Sequence, residues 1–207
     1  MPTIRNREPT TAGLRRISPG VRTPGLILGW LMLAFFLNPP QGRSQGTPSE
    51  YRVKAGYVFN FFRFIQWPDD AFLDAKAPVV IGIVGEDPFG NQLPQVIYGK
   101  TVQGRDLVIR RYRAADNLSG IHILFIGALE RKRLPQILAG LRGSSVLTVA
   151  EMDRFLEAGG VIQFTFENSR IRFAINVDAA DRARLKVSSK LLSVAQYVQA
   201  NGAPGKN

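Results

Sequence analysis

The chain has 207 residues, 45% of them hydrophobic and 21% charged, which fits one domain plus a tail and excludes a wholly disordered protein. It contains no cysteine and one histidine, so thiol nucleophiles, Cys-ligated zinc or iron–sulfur centres and thiol switches are excluded. Of the formal net charge of +11, six arginines against Glu8 place +5 on residues 1–45, and the remaining +6 over residues 46–207 is ordinary for a soluble domain and argues for no nucleic-acid polymer as partner.

In chain order, the first feature is a secretory pattern. Arg5, Arg7, Arg15, Arg16 and Arg22 precede an uncharged run from Gly25 to Leu37, followed by Pro39-Pro40 and the small polar stretch Gly42 to Thr47. Thirteen helical residues would span roughly 20 Å, short of a ~30 Å hydrocarbon core. A cleaved signal over residues 1–45 is expected in preference to a retained anchor, with the chain exported to the periplasm. The folded domain is expected over 46–207.

Pro48 and Ser49 precede an apolar-rich stretch that runs to Trp67, where Pro68 stops it. Its length predicts a helix. Arg52, Gly56, Asn60 and Arg63 make one narrow polar stripe. The apolar arc is wider than a surface helix needs, so the helix is either buried all round or meets a partner with its second face. Tyr51, Ala55, Val58, Phe62 and Ile65 are assigned to the core; Val53, Tyr57, Phe61 and Phe64 are the candidate partner-binding face.

Pro78 to Val84 reads as a strand covered on both faces. Asp87 and Pro88 are the expected cap and first residue of a helix. Strands are predicted at Leu107–Tyr112, Ile121–Ile126 and Val146–Val149, with helices at Glu130–Leu141 and Glu151–Ala158. Period-two alternation in Ile162–Phe166 and Ile171–Val177, around Glu167-Asn168-Ser169, predicts an antiparallel hairpin with one wet face. Ser188-Ser189 caps a last helix that carries Leu191, Leu192, Ala195 and Val198. The fold class is therefore α/β: a single domain with a mostly parallel sheet flanked by helices and a C-terminal antiparallel hairpin.

The search for chemistry finds no catalytic constellation, cofactor fingerprint or metal-ligand spacing. His122 lies inside an apolar strand and reads as structural. Gly82-Ile83-Val84-Gly85 with Gly90 departs from the dinucleotide fingerprint. The glycine turn at Gly85 offers backbone N–H groups to an anion, or simply packs tightly. Arg170 and Arg172 lie on the wet face of the hairpin beside Asn176, and guanidinium groups suit carboxylate or phosphate. These three residues, with Arg63 of the helical stripe, are the candidate ligand-binding residues for a small anion or nucleotide.

The segments Lys54–Pro68 (KAGYVFNFFRFIQWP), Ile81–Gly90 (IGIVGEDPFG), His122–Gly127 (HILFIG), Val146–Val149 (VLTV), Gly159–Phe164 (GGVIQF), Arg170–Asn176 (RIRFAIN) and Ser188–Leu192 (SSKLL), in this order and spacing, resemble the YfiR-like family of exported regulators. The resemblance implies a periplasmic, homodimeric α/β protein without enzymatic activity. It also implies a partner, the periplasmic domain of an inner-membrane diguanylate cyclase or similar sensor, whose cyclic-di-GMP output it holds down. Family members often carry paired cysteines, one of them just before the strand that starts at His122; this chain has Ile121 there, so disulfide control does not carry over.

Overall fold

The computed structural model describes residues 47–113 and 116–200, together with the backbone of 203–206; the expected export segment lies outside the described residues. Helix α1 (Pro48–Phe64) begins at Pro48 and stops three residues short of the expected Trp67. The Thr47 hydroxyl accepts from the Glu50 N–H at 3.3 Å, Pro48 occupies the first turn, and the helix ends as Ile65 turns extended. Strand β1 (Ile65–Gln66), a 3-10 turn at Asp69–Ala71 and strand β2 (Val79–Val84) follow. Then come α2 (Gln92–Ile97), β3 (Thr101–Val102), β4 (Arg105–Tyr112) and β5 (Ile123–Ile126). A 3-10 stretch at Ala128–Arg133 runs into α3 (Leu134–Gly140), and β6 (Leu147–Ala150) follows. The C-terminal part comprises β7 (Ile162–Glu167), β8 (Arg170–Asn176), α4 (Val177–Arg182), β9 (Lys186–Val187), α5 (Ser189–Val194), β10 (Tyr197–Ala200) and β11 (Ala203–Lys206).

The main sheet has the order β11-β10-β8-β7-β6-β5-β2-β4-β3, and β1 pairs separately with β9 as an antiparallel ribbon. From β4 through β2, β5 and β6 to β7 every pairing is parallel. The β7–β8 hairpin is antiparallel, and β10 returns parallel to β8. The expected α/β fold with its hairpin is therefore present. Its β-branched strands are covered on both sides. Ile81, Ile83, Ile123, Phe125 and Val149 face a core shared with α1, α2, α4 and α5. Val80, Val84, Leu124, Ile126 and Ala150 face a second core closed by Leu134 and Ile137 of α3 with Met152, Phe155 and Leu156. Each fully buried large side chain contributes roughly 1.5–3 kcal/mol, which is why a sheet edge to edge this wide needs both layers.

Several local expectations are corrected. Residues 151–158 form successive turns instead of a helix, with Arg154 in the left-handed region at φ +62°. The helix expected from Glu130 is 3-10 up to Arg133 and α-helical only afterwards. Asp87 caps no helix: its Oδ1 accepts from the Phe89 N–H at 2.8 Å in a tight turn, and its other oxygen pairs with Arg111. The last helix stops at Val194, and Val198 belongs to β10. There the Gln196 N–H donates to the Phe173 carbonyl at 2.9 Å and its side-chain carbonyl accepts from the Thr165 hydroxyl, so sheet pairing captures the segment before the helix can extend.

Candidate functional site

Helix α1 lies along the hairpin, and this contact organises the region where the sequence places its candidate residues. In the hairpin register Phe164 faces Phe173 and Phe166 faces Ile171, while Thr165–Arg172 and Glu167–Arg170 pair on the opposite side. The turn needs only Asn168 and Ser169, both with positive φ (49° and 59°), a twist that matches the strands. At the base of the hairpin Phe61 and Tyr57 cover the aromatic pair. Tyr57 lies 5.4 Å from Phe173, and Phe61 lies 6.1 Å from Phe164 and 5.6 Å from Phe173, ring centroid to ring centroid.

This corrects the assignment of faces on α1. Phe61 is 1% exposed and sits in the core beside Phe62, so no partner reaches it on this surface. The reason is the hairpin: its Phe164 and Phe173 cover the helical face that the sequence left without an occupant. Phe64 is half-buried against the same core. The open part of the expected face is its N-terminal half. Val53 is 50% exposed, Phe166 59% exposed, and with Tyr57 and Ile171 they line one recess of about 630 Å³ at the hairpin tip. Scattered exposed apolar residues are ordinary, whereas a contiguous group around a recess marks a contact surface. Phe166 was missed as a site residue because strand alternation alone assigns it to the core; only the length of α1, which leaves the tip uncovered, exposes it.

Of the four candidate ligand residues, the structure brings two together. Arg170 and Arg172 are exposed, stand at the rim of the apolar recess, and also line a second recess of about 700 Å³ with Glu167 and Gln196. Neither forms an ion pair among the described residues. Asn176 is withdrawn from the set. It is 3% exposed, and its amide donates to the Leu156 carbonyl and accepts from the Ala179 N–H, both at 2.9 Å, so it caps α4 from inside the protein, out of a ligand's reach. Arg63 sits in the last turn of α1, where a cation complements the helix dipole, and lines neither recess.

Sequence reading also missed a buried ionic group. Lys54, 2% exposed, donates to Glu50 one helical turn back and to Glu151 at 2.8 Å, and lies over the Tyr51 ring at 4.6 Å. The Tyr51 hydroxyl donates to Glu151 at 3.3 Å; burial first, then the charge of Glu151, pushes its pKa well above the usual phenol range. The Glu50–Lys54 spacing of four was the available signal. This cluster fixes α1 to the end of β6 by neutralising charges that burial would otherwise penalise.

The crevice at the reversal of strand order, between β2 and β5, is where open α/β sheets take ligands. Here it is filled. A Cβ on Gly127 would lie 2.8 Å from the Glu86 carbonyl oxygen, and one on Gly85, which has φ +82°, would meet Glu130 Cγ at 2.7 Å. Tight packing, with a carboxylate beside it, is the resolution of the Gly85 turn. No three carboxylate or imidazole groups gather as a metal site among the described residues.

The sheet is covered on both sides, its switch-point crevice is filled, and an apolar recess stands open at the hairpin tip. The chain belongs to the YfiR/HmsC-like family, whose sequence pattern matches residues 51–196. Membership makes it a relative of periplasmic regulators of diguanylate cyclase signalling. It is also similar to the crystal structure of a conserved domain protein from Vibrio cholerae O1 biovar eltor strain N16961, with a TM-score of 0.49 and 10% identity over 72% of this chain. The match spans 60% of that protein's length. No helix among the described residues is long and apolar enough to cross a membrane.

Proposed function

We propose that this protein is an exported, non-catalytic repressor that binds the periplasmic domain of an inner-membrane diguanylate cyclase, or a similar sensor, and lowers cyclic-di-GMP output. The observation that carries the reading is the recess formed by Val53, Tyr57, Phe166 and Ile171, in which a phenylalanine stands 59% exposed beside a valine 50% exposed. Aromatic side chains of this kind anchor protein interfaces because they bury large areas with few rotatable bonds. Arg170 and Arg172 at the rim add a cationic border.

The test is a binding titration of the full chain against the periplasmic domain of a diguanylate cyclase from its own cell. Phe166→Ser removes exposed apolar surface and leaves the core intact, so its melting temperature should stay within a degree or two of the parent. Truncating an interface anchor costs about 2 kcal/mol or more, which is about thirtyfold in Kd. Unchanged affinity and unchanged repression of cyclic-di-GMP in cells carrying the variant would remove this surface from the interface. Sedimentation of the same variant separates partner capture from self-association, since a homodimer built on this recess would dissociate. A second reading, capture of a small anion or nucleotide by Arg170 and Arg172, is favoured by their exposure on one recess without ion-pair partners among the described residues.

A further inference from the structure

Strand β4 closes the parallel part of the sheet, and β3 covers only the start of its outer side. The β3–β4 hairpin pairs Val102 with Arg105 and Thr101 with Asp106, across a turn in which Gln103 and Gly104 take φ of 52° and 77°. Before Thr101 the chain leaves the edge, because the Lys100 N–H donates to the Ile97 carbonyl at 3.0 Å, at the end of α2. On the inner side β4 pairs with β2 in unbroken register from Leu107 to Tyr112.

The phase of this ladder fixes which backbone groups are left over. The Gly85 N–H donates to the Tyr112 carbonyl at 3.2 Å, so Tyr112 turns its polar backbone groups toward β2, and by alternation Val108 and Arg110 do the same. Leu107, Ile109 and Arg111 therefore turn N–H and C=O outward, where no partner meets them among the described residues. The row ends at Arg113, whose N–H donates to the Asp116 carboxylate at 2.6 Å and whose carbonyl accepts the Asp116 N–H at 2.9 Å. An edge of this kind is a template for another strand unless a proline, a bulge or a covering loop blunts it. Between Leu107 and Arg111 there is no proline and no bulge.

Charge selects the occupant. Arg110 and Arg113 are exposed and form no ion pair among the described residues, while Arg111 is held by Asp87. Asp106 stands opposite Thr101, within the part that β3 already covers. The open stretch thus presents half-buried Leu107, Val108 and Ile109 followed by cations. A second copy would set one cationic edge against another, whereas an extended segment with carboxylates complements it.

We propose that the open edge of β4 docks an extended acidic segment of a partner protein, which adds to the sheet as a further strand. Its backbone pairs with Leu107, Ile109 and Arg111, an apolar side chain lies across from Val108, and a carboxylate lies across from Arg110. Strands β6, β5 and β2 separate this edge from the β7–β8 hairpin, so the proposal stands or falls without the reading of the recess at the hairpin tip.

Amide hydrogen exchange of the ¹⁵N-labelled full chain, read by NMR, follows the edge residue by residue. The probe is a blocked heptapeptide of alternating glutamate and valine at up to millimolar concentration, with its lysine–valine counterpart as control. The glutamate peptide should slow exchange at Leu107, Ile109 and Arg111 and leave Val108 and Arg110, already bonded to β2, unchanged. The lysine peptide should alter none of them. Arg110→Glu, at an exposed position, should keep the parent melting temperature and weaken the glutamate peptide about tenfold by calorimetry. Phe166→Ser should bind that peptide as the parent does. No slowing at the three outward amides would overturn the docking edge, and an equal response to both peptides would overturn its preference for an acidic segment. Protection of the same amides in the free chain that grows with protein concentration would assign the edge to a second copy and overturn the proposal.

Discussion

At the scale of single residues, burial decides which side chains can act outward and which cannot. Phe61, 1% exposed among Tyr57, Phe164 and Phe173, is a core residue. Phe61→Ala should therefore destabilise the fold by about 3–5 kcal/mol, the same range as Phe62→Ala, because both leave aromatic-sized cavities. Urea denaturation of the two variants checks this, and a cost near zero for Phe61 would return it to the surface. His122 is also a packing residue: its Nδ1 accepts the Val80 N–H at 3.1 Å, and its ring lies against Phe72. Burial lowers its pKa below the usual 6.5; a contact with the Ala71 carbonyl works the other way, and Arg105 adds to the lowering. The unfolded chain then takes up the proton first. Stability from this group is full above pH 6.5 and declines as pH falls from there toward the lower folded value. Melting temperatures measured from neutral to pH 5 should fall less steeply for His122→Phe than for the parent chain. Parallel curves would assign the acid sensitivity elsewhere.

At the scale of elements, α1 shows how a helix with a wide apolar arc is shared between two neighbours. Its Ala55, Val58 and Phe62 belong to the sheet core, as their spacing requires, while Tyr57 and Phe61 close over the hairpin. The leftover part, Val53 facing Phe166, is apolar surface that neither element covers. The hairpin was legible because strict alternation and a polar connection leave few alternatives. The turns at 151–158 were not legible, since Met152, Phe155 and Leu156 carry a helical spacing; Gly160 is packed so close to Phe155 that a Cβ would lie 2.2 Å from its ring, and Arg154 takes a left-handed φ. Packing of that aromatic ring overrides a weak local preference.

At the scale of the whole molecule, the proposed export bears on folding at one residue. Thr47 caps α1, and Pro48 begins it. A cut anywhere from Gly42 to Thr47 would leave the cap in place, whereas a later cut would strip it at a cost of about 1 kcal/mol. The mature N-terminus in the periplasmic fraction should therefore lie between Gly42 and Thr47, as read by intact mass. Recovery of the full-length chain in the membrane fraction would overturn cleavage and favour an anchor. The same scale explains why Lys54 can be buried at all: its partners come from Glu50, four residues back, and Glu151, 97 residues away, so the ionic group forms only when the sheet is assembled.

What the sequence by itself determined is whatever rests on short-range periodicity and local caps: the strand at Val79–Val84, the hairpin of β7 and β8, the existence of α1 after Pro48, the start of α5 at Ser188, and the ordered segments that carry the family resemblance. These are set by backbone geometry within a few residues, which the one-dimensional pattern records. Only the tertiary structure decided that Phe61 is inside, that Asn176 is a cap, and that Phe166 stands at an open recess. Each of those depends on which distant element happens to cover a side chain. Coverage is fixed by the lengths and crossing of elements far apart in the chain, for which neighbouring residues carry no signal.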